Sequence, residues 1–443
     1  MNNSDLPDDT NTARVPGSRL SRISRLGALA TTVAGGMLAE GTRQLAQGKR
    51  PKASDLLLTP ANARRVADQL AQLRGAAMKV GQLMSMDAGD MLPPELTEIL
   101  ARLRSDARAM PLSQLSQILE SNWGKGWNTR FRQFSFQPLA AASIGQVHSA
   151  HTKDGRHLAL KIQYPAIRES IDSDVENVAT LLRISGLIPK HLNIRPLLDE
   201  AKLQLHAEAD YAREAQWLRR YQALLSGSEH FTLPEVHDDF CTPDILAMSF
   251  VEGVPVESMI NAAQEDRDRI AHLLIELMFR EIFEFRLIQT DPNFANYLYN
   301  EATRRLVLLD FGATRMYSET VAEAYRHLMS GAVHNDRGRI MAAAESIGFF
   351  GEYIRPEQRE AVVDVFVQAC EPLCHQGAYD FGNTQLASRI RDTGMKLSME
   401  KEYWHTPPVD AVFLHRKLGG MYLLAARLKA RVDINALFRP YLD

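Results

Sequence analysis

The sequence predicts an α+β fold, a strand-rich segment followed by a mostly helical one, and three observations carry that expectation. Candidate strands crowd residues 131–162 and are joined by turn residues. After Asp310 to Gly312 the chain is mostly helical. Between these stretches, short apolar runs at Asp244 to Val251 and at Leu306 to Leu309 have the length of buried strands rather than helices.

The elements follow in chain order. Residues 1–17 are polar and rich in Asn, Asp and Pro, the composition of a disordered tail. From Arg14 to Lys52 there are eight basic residues against one acid, Glu40. Within that stretch Leu26 to Ala39 is apolar, small and too short to span a bilayer, for which roughly 20 residues are needed. Such a segment can lie in a headgroup layer, with its arginines drawn to anionic lipid. From Ala61 to Met86 the apolar residues Val66, Leu70, Leu73, Ala77, Val80 and Met84 recur at helical spacing, and Pro93-Pro94 ends the run. On that helix Lys79 reads as a mid-helix lysine facing water.

Phe131 to Phe136 reads as a strand. After Gln137-Pro138 comes the small-residue run Ala140-Ala141-Ala142-Ser143-Ile144-Gly145. Gln146 to Thr152 and Arg156 to Ile162 are two more strands, joined by Lys153-Asp154-Gly155, a hairpin turn signal. Asp199 to Leu225 and Arg267 to Leu287 read as helices. Glu276, Arg280, Glu281 and Glu284 interrupt the second, so it is a core helix and not a membrane span.

Composition narrows the function classes. A formal net charge of −3 over 443 residues lacks the positive footprint that a phosphate backbone requires, so nucleic acid is excluded as a partner. Three cysteines cannot build a disulfide framework and point to a reducing compartment. Cys370 and Cys374 lie four apart, as on one helix face. With only His375 beside them and no second ligand pair, they read as two small buried hydrophobes rather than a metal site.

The chemistry concentrates in "QTDPNFANYLYNEATRRLVLLDFGATR". Asp291 is followed five positions later by Asn296 and nineteen positions later by Asp310-Phe311-Gly312. This is the layout of a kinase catalytic loop and magnesium loop. Mg²⁺ is a hard cation that takes oxygen ligands, and Asn296 and Asp310 supply a neutral and an anionic one. Asp291 is left to orient or deprotonate a nucleophile. A second triplet, Asp380-Phe381-Gly382, lacks upstream partners at those offsets and reads as a turn. Lys161 ends "HLALK" in the position of the strand lysine that kinases aim at the α- and β-phosphates of ATP, and Glu200, Glu208 and Glu214 are candidates for its counter-ion. Alanines stand where phosphate-covering glycines are usual. Gly145 alone in that run keeps glycine's backbone freedom, and no Ala-Pro-Glu element follows Gly312.

From about Arg22 to the C-terminus the chain resembles the UbiB-like atypical kinases, on the side of the mitochondrial coenzyme Q kinase-like ATPases. The strings that carry the likeness are "AAASIGQVHSA", "LALKIQYP", "EADYAREA", "QTDPNFAN", "LDFGATR" and "LHRKLGG". The resemblance implies a protein-kinase-like bilobal fold with an N-terminal helical extension, divided as tail 1–17, extension 18–130, N-lobe 131–252 and C-lobe 253–443. It implies ATP and Mg²⁺ as ligands. Asp291 is then the catalytic aspartate, and Asn296 and Asp310 are the metal ligands. Lys161 takes the phosphate role with Glu214 as its ion-pair partner. Ala140, Ala141, Ala142 and Ser143 match the nucleotide loop, and Met248, Ser249, Phe250 and Val251 the adenine hinge. Lys79, Gly81 and Gln82 match a Lys-x-Gly-Gln segment that folds over the pocket of a protein substrate, and Glu208 and Asp210 a Glu-x-Asp motif. Ser249 departs from relatives that carry glutamate there. The His-Pro-Gly-type loop and C-terminal membrane anchor of bacterial members are missing.

The function so implied is ATP turnover supporting ubiquinone synthesis at a membrane surface. The partners are anionic lipid, quinone-precursor lipids and ubiquinone-synthesis enzymes. The location is the cytoplasmic face of an inner membrane or the mitochondrial matrix face. A protein kinase and a non-enzymatic lipid-binding scaffold stand as the competing readings.

Overall fold

Strand β3 (Gly145–Thr152) alternates buried and half-buried residues, and its partner β4 (His157–Gln163) buries Leu158, Leu160 and Ile162 completely. That period of two is what holds the pair in register, since a slip by one residue would turn every apolar side chain outward. The computed structural model describes residues 70, 73–87, 109–184, 194–351, 354–399 and 408–442. The tail, the Arg14 to Lys52 stretch, most of residues 61–72 and Pro93-Pro94 lie outside them.

The chain divides into two compact units. Of the described residues, one comprises those up to Ala215 together with Glu235–Phe250, and the other Gln216–Pro234 with those from Val251 onward. The first contains an antiparallel sheet in the order β1-β3-β4-β6, formed by β1 (Phe131–Phe134), β3, β4 and β6 (Ile245–Ser249), with the short β2 (Ala140–Ala141) also paired to β3. In the same unit α1 (Arg74–Asp87), α3 (Ile167–Ile184) and α4 (Arg195–Glu208) pack on one another. Helix α2 (Leu112–Trp123) ends in an aromatic cluster in which Trp123 lies 5.4 Å from Phe131 and 6.0 Å from Phe240.

Helix α5 (Tyr211–Leu224) follows α4 after a break at Ala209-Asp210, where the sequence read as one continuous helix. The break has a local cause: Asp210 Oδ1 accepts from the Arg213 N–H and so caps a new helix rather than continuing the old one.

The second unit is built on α6 (Gln264–Arg280), which buries Ile270, Leu273, Leu274, Leu277 and Met278. It loosens into a π-turn at Glu281–Phe285, and Arg286 stops it in the left-handed region at φ 51°, so Leu287 starts strand β8 (Leu287–Gln289) instead of ending the helix. Strands β5 (Phe231–Thr232), β10 (Arg305–Leu308), β9 (Tyr297–Asn300) and β7 (Val254–Pro255) form one sheet in that order. Strand β11 (Thr314–Met316) pairs with β8, and β12 (Tyr379–Asp380) with β13 (Arg431–Val432). The rest is helical: α7 (Glu319–Val333), α8 (Arg337–Ile347), α9 (Pro356–Ala369), α10 (Glu371–Cys374), α11 (Leu386–Met399), α12 (Val409–Arg427) and α13 (Ile434–Phe438).

Cys370 and Cys374 do not share one helix face, because the chain breaks between α9 and α10 at Cys370, just before Pro372. Cys370 is buried, with its thiol pushed up to about 12 by burial, whereas Cys374 is exposed. Gly145 is in the extended strand and has no positive φ. Its lack of a side chain matters for space, since a Cβ there would lie 2.3 Å from the Ile162 carbonyl oxygen.

No helix among the described residues is long and apolar enough to cross a membrane.

Candidate active site

In the first unit the candidate residues gather on β4 and two helix ends. Lys161 sits on β4 opposite Val147 of β3 and Leu246 of β6. Its Nζ lies 2.6 Å from Oε1 of Glu214, with the two side chains 11% and 2% exposed. Glu214 stands in the first turn of α5, so the Asp210 cap that starts this helix also places the carboxylate. Two residues beyond Lys161, Gln163 Nε2 donates to the Ala209 carbonyl at 2.7 Å, which ties the end of β4 to the α4–α5 break. Of the three candidate counter-ions, Glu214 is the one placed on Lys161. Glu200 accepts from Gln204, and Glu208 is used elsewhere.

Glu208, the last residue of α4, takes Lys79 of α1 at 2.5 Å and also accepts from the Ser143 hydroxyl. Lys79 is 1% exposed. The expectation that it faces water is therefore overturned: the helix face that carries it is packed on α4, and the carboxylate compensates the buried ammonium. Ala140 and Ala141 pair with Val147 and Gln146 of β3, and the Ala142 N–H donates to the Gly145 carbonyl at 2.8 Å. Helix α1 presses on this loop at Gly75, where a Cβ would meet the Ser143 carbonyl oxygen at 2.3 Å. Gly81 is buried on the same helix, which also carries Gln82.

Met248 lies on β6 and is 5% exposed. The Ser249 hydroxyl accepts from the Glu235 N–H at 2.7 Å, the Ser249 N–H donates to the Glu235 carbonyl, and the Phe250 N–H donates to the His157 carbonyl. These groups are thus committed inside the protein. Val251 begins the second unit.

In the second unit three acidic and amide side chains are gathered by strand pairing. Asp291 follows β8 and Asp310 precedes β11, and these two strands pair Gln289 with Thr314. The Thr290 N–H donates to the Ala313 carbonyl at 3.1 Å, continuing that pairing into both loops. Asn296 ends the loop as β9 starts. Its carbonyl accepts from the N–H of Leu309, the residue before Asp310, at 3.1 Å, and its Nδ2 donates to the Asp291 carbonyl at 2.9 Å. With the amide nitrogen so held, the amide oxygen is the end left for a cation. Asp310 accepts from the Gly312 N–H through Oδ1 at 3.0 Å, while Phe311 is buried with its ring 4.8 Å from that of Tyr221.

The same local bond recurs at Asp380, which accepts from the Gly382 N–H at 3.0 Å in a 3-10 turn. An Asp-Phe-Gly triplet thus sets its own turn. What differs at Asp310 is the company of Asn296 and Asp291.

One carboxylate and one amide oxygen suit Mg²⁺, which draws much of its coordination from substrate phosphates and water rather than from a protein cage. Among the described residues no group of three His, Cys, Asp or Glu side chains is placed to hold a metal, so a softer or all-protein site has no candidate here.

Residues 102–344 match the ABC1 atypical kinase-like domain. The chain belongs to the ABC1 atypical kinase-like family. It is 36% identical to "Atypical kinase COQ8B, mitochondrial" of Rattus norvegicus over 98% of this chain and 82% of the rat protein. It is equally identical to "Atypical kinase COQ8, mitochondrial" of Saccharomyces cerevisiae over 98% of this chain and 86% of the yeast protein. Among solved structures, Rv3197 of Mycobacterium tuberculosis in complex with erythromycin superposes with a TM-score of 0.57, covering 86% of this chain and 95% of that one. At 24% identity this likeness speaks for the fold alone. The mixed α+β fold is kinase-like, as the family resemblance implies, and the protein is a kinase-like enzyme of the ABC1 family.

Sequence reasoning did not single out Arg416. Its Nη2 lies 3.2 Å from Oδ1 of Asp291, across 125 residues of chain. Nor did it find the buried pair of Lys417 and Glu281, 3.0 Å apart. The string "LHRKLGG" was the available signal, since adjacent cations on an otherwise apolar helix need buried partners.

Proposed function

We propose that this ABC1-family protein binds Mg·ATP and turns it over in support of ubiquinone biosynthesis at a membrane surface. The observation that carries the reading is the gathering of Asp291, Asn296 and Asp310 through the Asn296 carbonyl and amide. In this reading the Asn296 amide oxygen and the Asp310 carboxylate hold the magnesium ion. When bound, it neutralises charge that builds on the phosphates. Lys161 binds the α- and β-phosphates, and Glu214 fixes its direction by charge pairing. Asp291 orients the attacking oxygen and accepts its proton. The loop Ala140 to Ser143 lines the nucleotide, and Met248 to Val251 carry the adenine edge, where Val251 supplies backbone groups. Lys79, Gly81, Gln82, Glu208 and Asp210 regulate access, since α1 rests directly on the nucleotide loop at Gly75 and Ser143. The basic stretch Arg14 to Lys52 supports attachment to anionic lipid, on a cytoplasmic inner-membrane face or the matrix face of mitochondria. The names of the COQ8 relatives support coenzyme Q biosynthesis as the context, with quinone-precursor lipids and their enzymes as partners.

The test is phosphate release from ATP by the purified protein and by Asp310→Asn, with and without Mg²⁺ and phosphatidylglycerol-containing vesicles. The expected result is Mg²⁺-dependent turnover that vesicles raise and that Asp310→Asn lacks. Equal rates in the two proteins would end the enzymatic reading, and stoichiometric phosphate on a protein partner would favour a protein kinase instead.

A further inference from the structure

The loop from Asp291 to Asn296 reads Asp-Pro-Asn-Phe-Ala-Asn and holds no basic residue. The positive charge beside Asp291 comes instead from α12, where Arg416 places Nη2 3.2 Å from Asp291 Oδ1 with its side chain only 8% exposed. Two further points fasten the same stretch of α12. Lys417 Nζ lies 3.0 Å from Glu281 Oε2 and 3.4 Å from the Tyr297 hydroxyl. Gly420, one turn beyond Arg416, lies so close to Pro292 that a Cβ there would sit 2.1 Å from Pro292 Cγ and 2.5 Å from Pro292 Cβ. Glu281 in turn accepts from the Gln289 N–H at 3.3 Å, and Gln289 Nε2 donates to the Asp291 carbonyl at 3.0 Å. Helix α12 thus touches Asp291 by its side chain, Pro292 by its backbone and, through Glu281, the strand that delivers both.

A carboxylate that orients an attacking oxygen must keep one oxygen pointed at that group. An arginine bonded to Oδ1 fixes the rotation of the carboxylate and leaves Oδ2 as the working atom. Lysine is a poor substitute, since its ammonium is a point charge without the planar fork that sets direction.

We propose that Arg416 is a positioning residue for Asp291, held in place by the Lys417–Glu281 pair and the Gly420–Pro292 contact. The inference rests on the proposed role of Asp291. Its test compares kcat and KM for Mg·ATP hydrolysis, the Kd for Mg·ADP and the Tm of the full chain carrying Arg416→Gln, Arg416→Lys, Asp291→Asn or Asp291→Asn with Arg416→Gln. Arg416→Gln is expected to lower kcat by about 10- to 100-fold, the scale on which small misplacement acts, with KM, Mg·ADP affinity and Tm near wild type. Arg416→Lys should fall between the two. In the Asp291→Asn background, Arg416→Gln should cost nothing further, because the two residues act as one.

Wild-type kcat in Arg416→Gln while Asp291→Asn is inactive overturns this inference and leaves the function standing. Loss of kcat together with Mg·ADP binding and Tm assigns Arg416 a merely structural role, which also overturns it. If Asp291→Asn retains turnover, the functional reading fails and this inference with it. Should Arg416→Gln not fold, Arg416→Lys decides: reduced kcat at unchanged Mg·ADP affinity supports the assignment, and wild-type kcat refutes it.

Discussion

A histidine sealed into a sheet with one ring nitrogen on a carbonyl has no room for a second proton. His148 on β3 is 1% exposed, its Nδ1 lies 2.9 Å from the Ser135 carbonyl and its ring stacks 5.7 Å from Phe134. Burial lowers its pKa to about 4, and the Ser135 carbonyl offsets that only in part. The sign of the linkage follows. An unfolded histidine takes up its proton near pH 6.5 and the folded one only near 4, so the penalty is absent above 6.5 and grows as pH falls towards 4. The full loss is about 3 kcal/mol, at roughly 1.4 kcal/mol per pKa unit. His148→Gln keeps a donor for Ser135 and cannot titrate. Urea unfolding monitored from pH 7.5 to 5 should therefore show a shallower fall in stability for the variant, and parallel slopes would mean that His148 does not carry the dependence.

Among elements, α12 and the π-turn after α6 are joined by charge inside the protein. Lys417 and Glu281 are 2% and 1% exposed, and the Tyr221 hydroxyl donates to Glu281 at 2.7 Å. Burial alone would lower the Lys417 ammonium, but the Glu281 carboxylate and the Tyr297 hydroxyl more than offset it and hold the group above the ordinary lysine value. Taking two charges from water nearly cancels their attraction, so the pair adds little net stability while each half depends on the other. Lys417→Met strands a buried carboxylate and should destabilise by about 3–5 kcal/mol. Lys417→Met with Glu281→Gln should recover a good part of this, since the amide still accepts from Tyr221 and from the Gln289 N–H. Denaturant midpoints measure both. A double variant no more stable than the single one would show that shape, not charge, joins the two elements.

At the scale of the whole molecule, what was legible in the sequence is what the chain keeps close to itself. The β3–β4 hairpin spans 19 residues with its turn, and Asp291, Asn296 and Asp310 fall within 20, so spacing alone could group them. Lys79 meets Glu208 across 129 residues and Arg416 meets Asp291 across 125, and no periodicity tells which distant helix a lysine or arginine will face. The Ala209-Asp210 break was hidden for the opposite reason, because one capping aspartate looks like any polar residue within a helical pattern. Such long-range ties bear on how the folded chain responds to ligand. A ligand that binds only the folded chain stabilises it by an amount set by its concentration over Kd, about 2.7 kcal/mol at a hundredfold excess. Under the proposed roles, Mg·ADP should raise Tm by several degrees, and ADP with chelator by clearly less. Asp310→Asn should abolish the difference made by magnesium, because it removes the anionic ligand, yet retain the smaller magnesium-free rise through Lys161. Lys161→Met should lose both rises, since it takes away the charge that meets the phosphates and leaves Glu214, 2% exposed, beside them. Thermal shift at matched nucleotide excess reads all three proteins, and an Asp310→Asn chain that still responds fully to magnesium would move the metal site elsewhere.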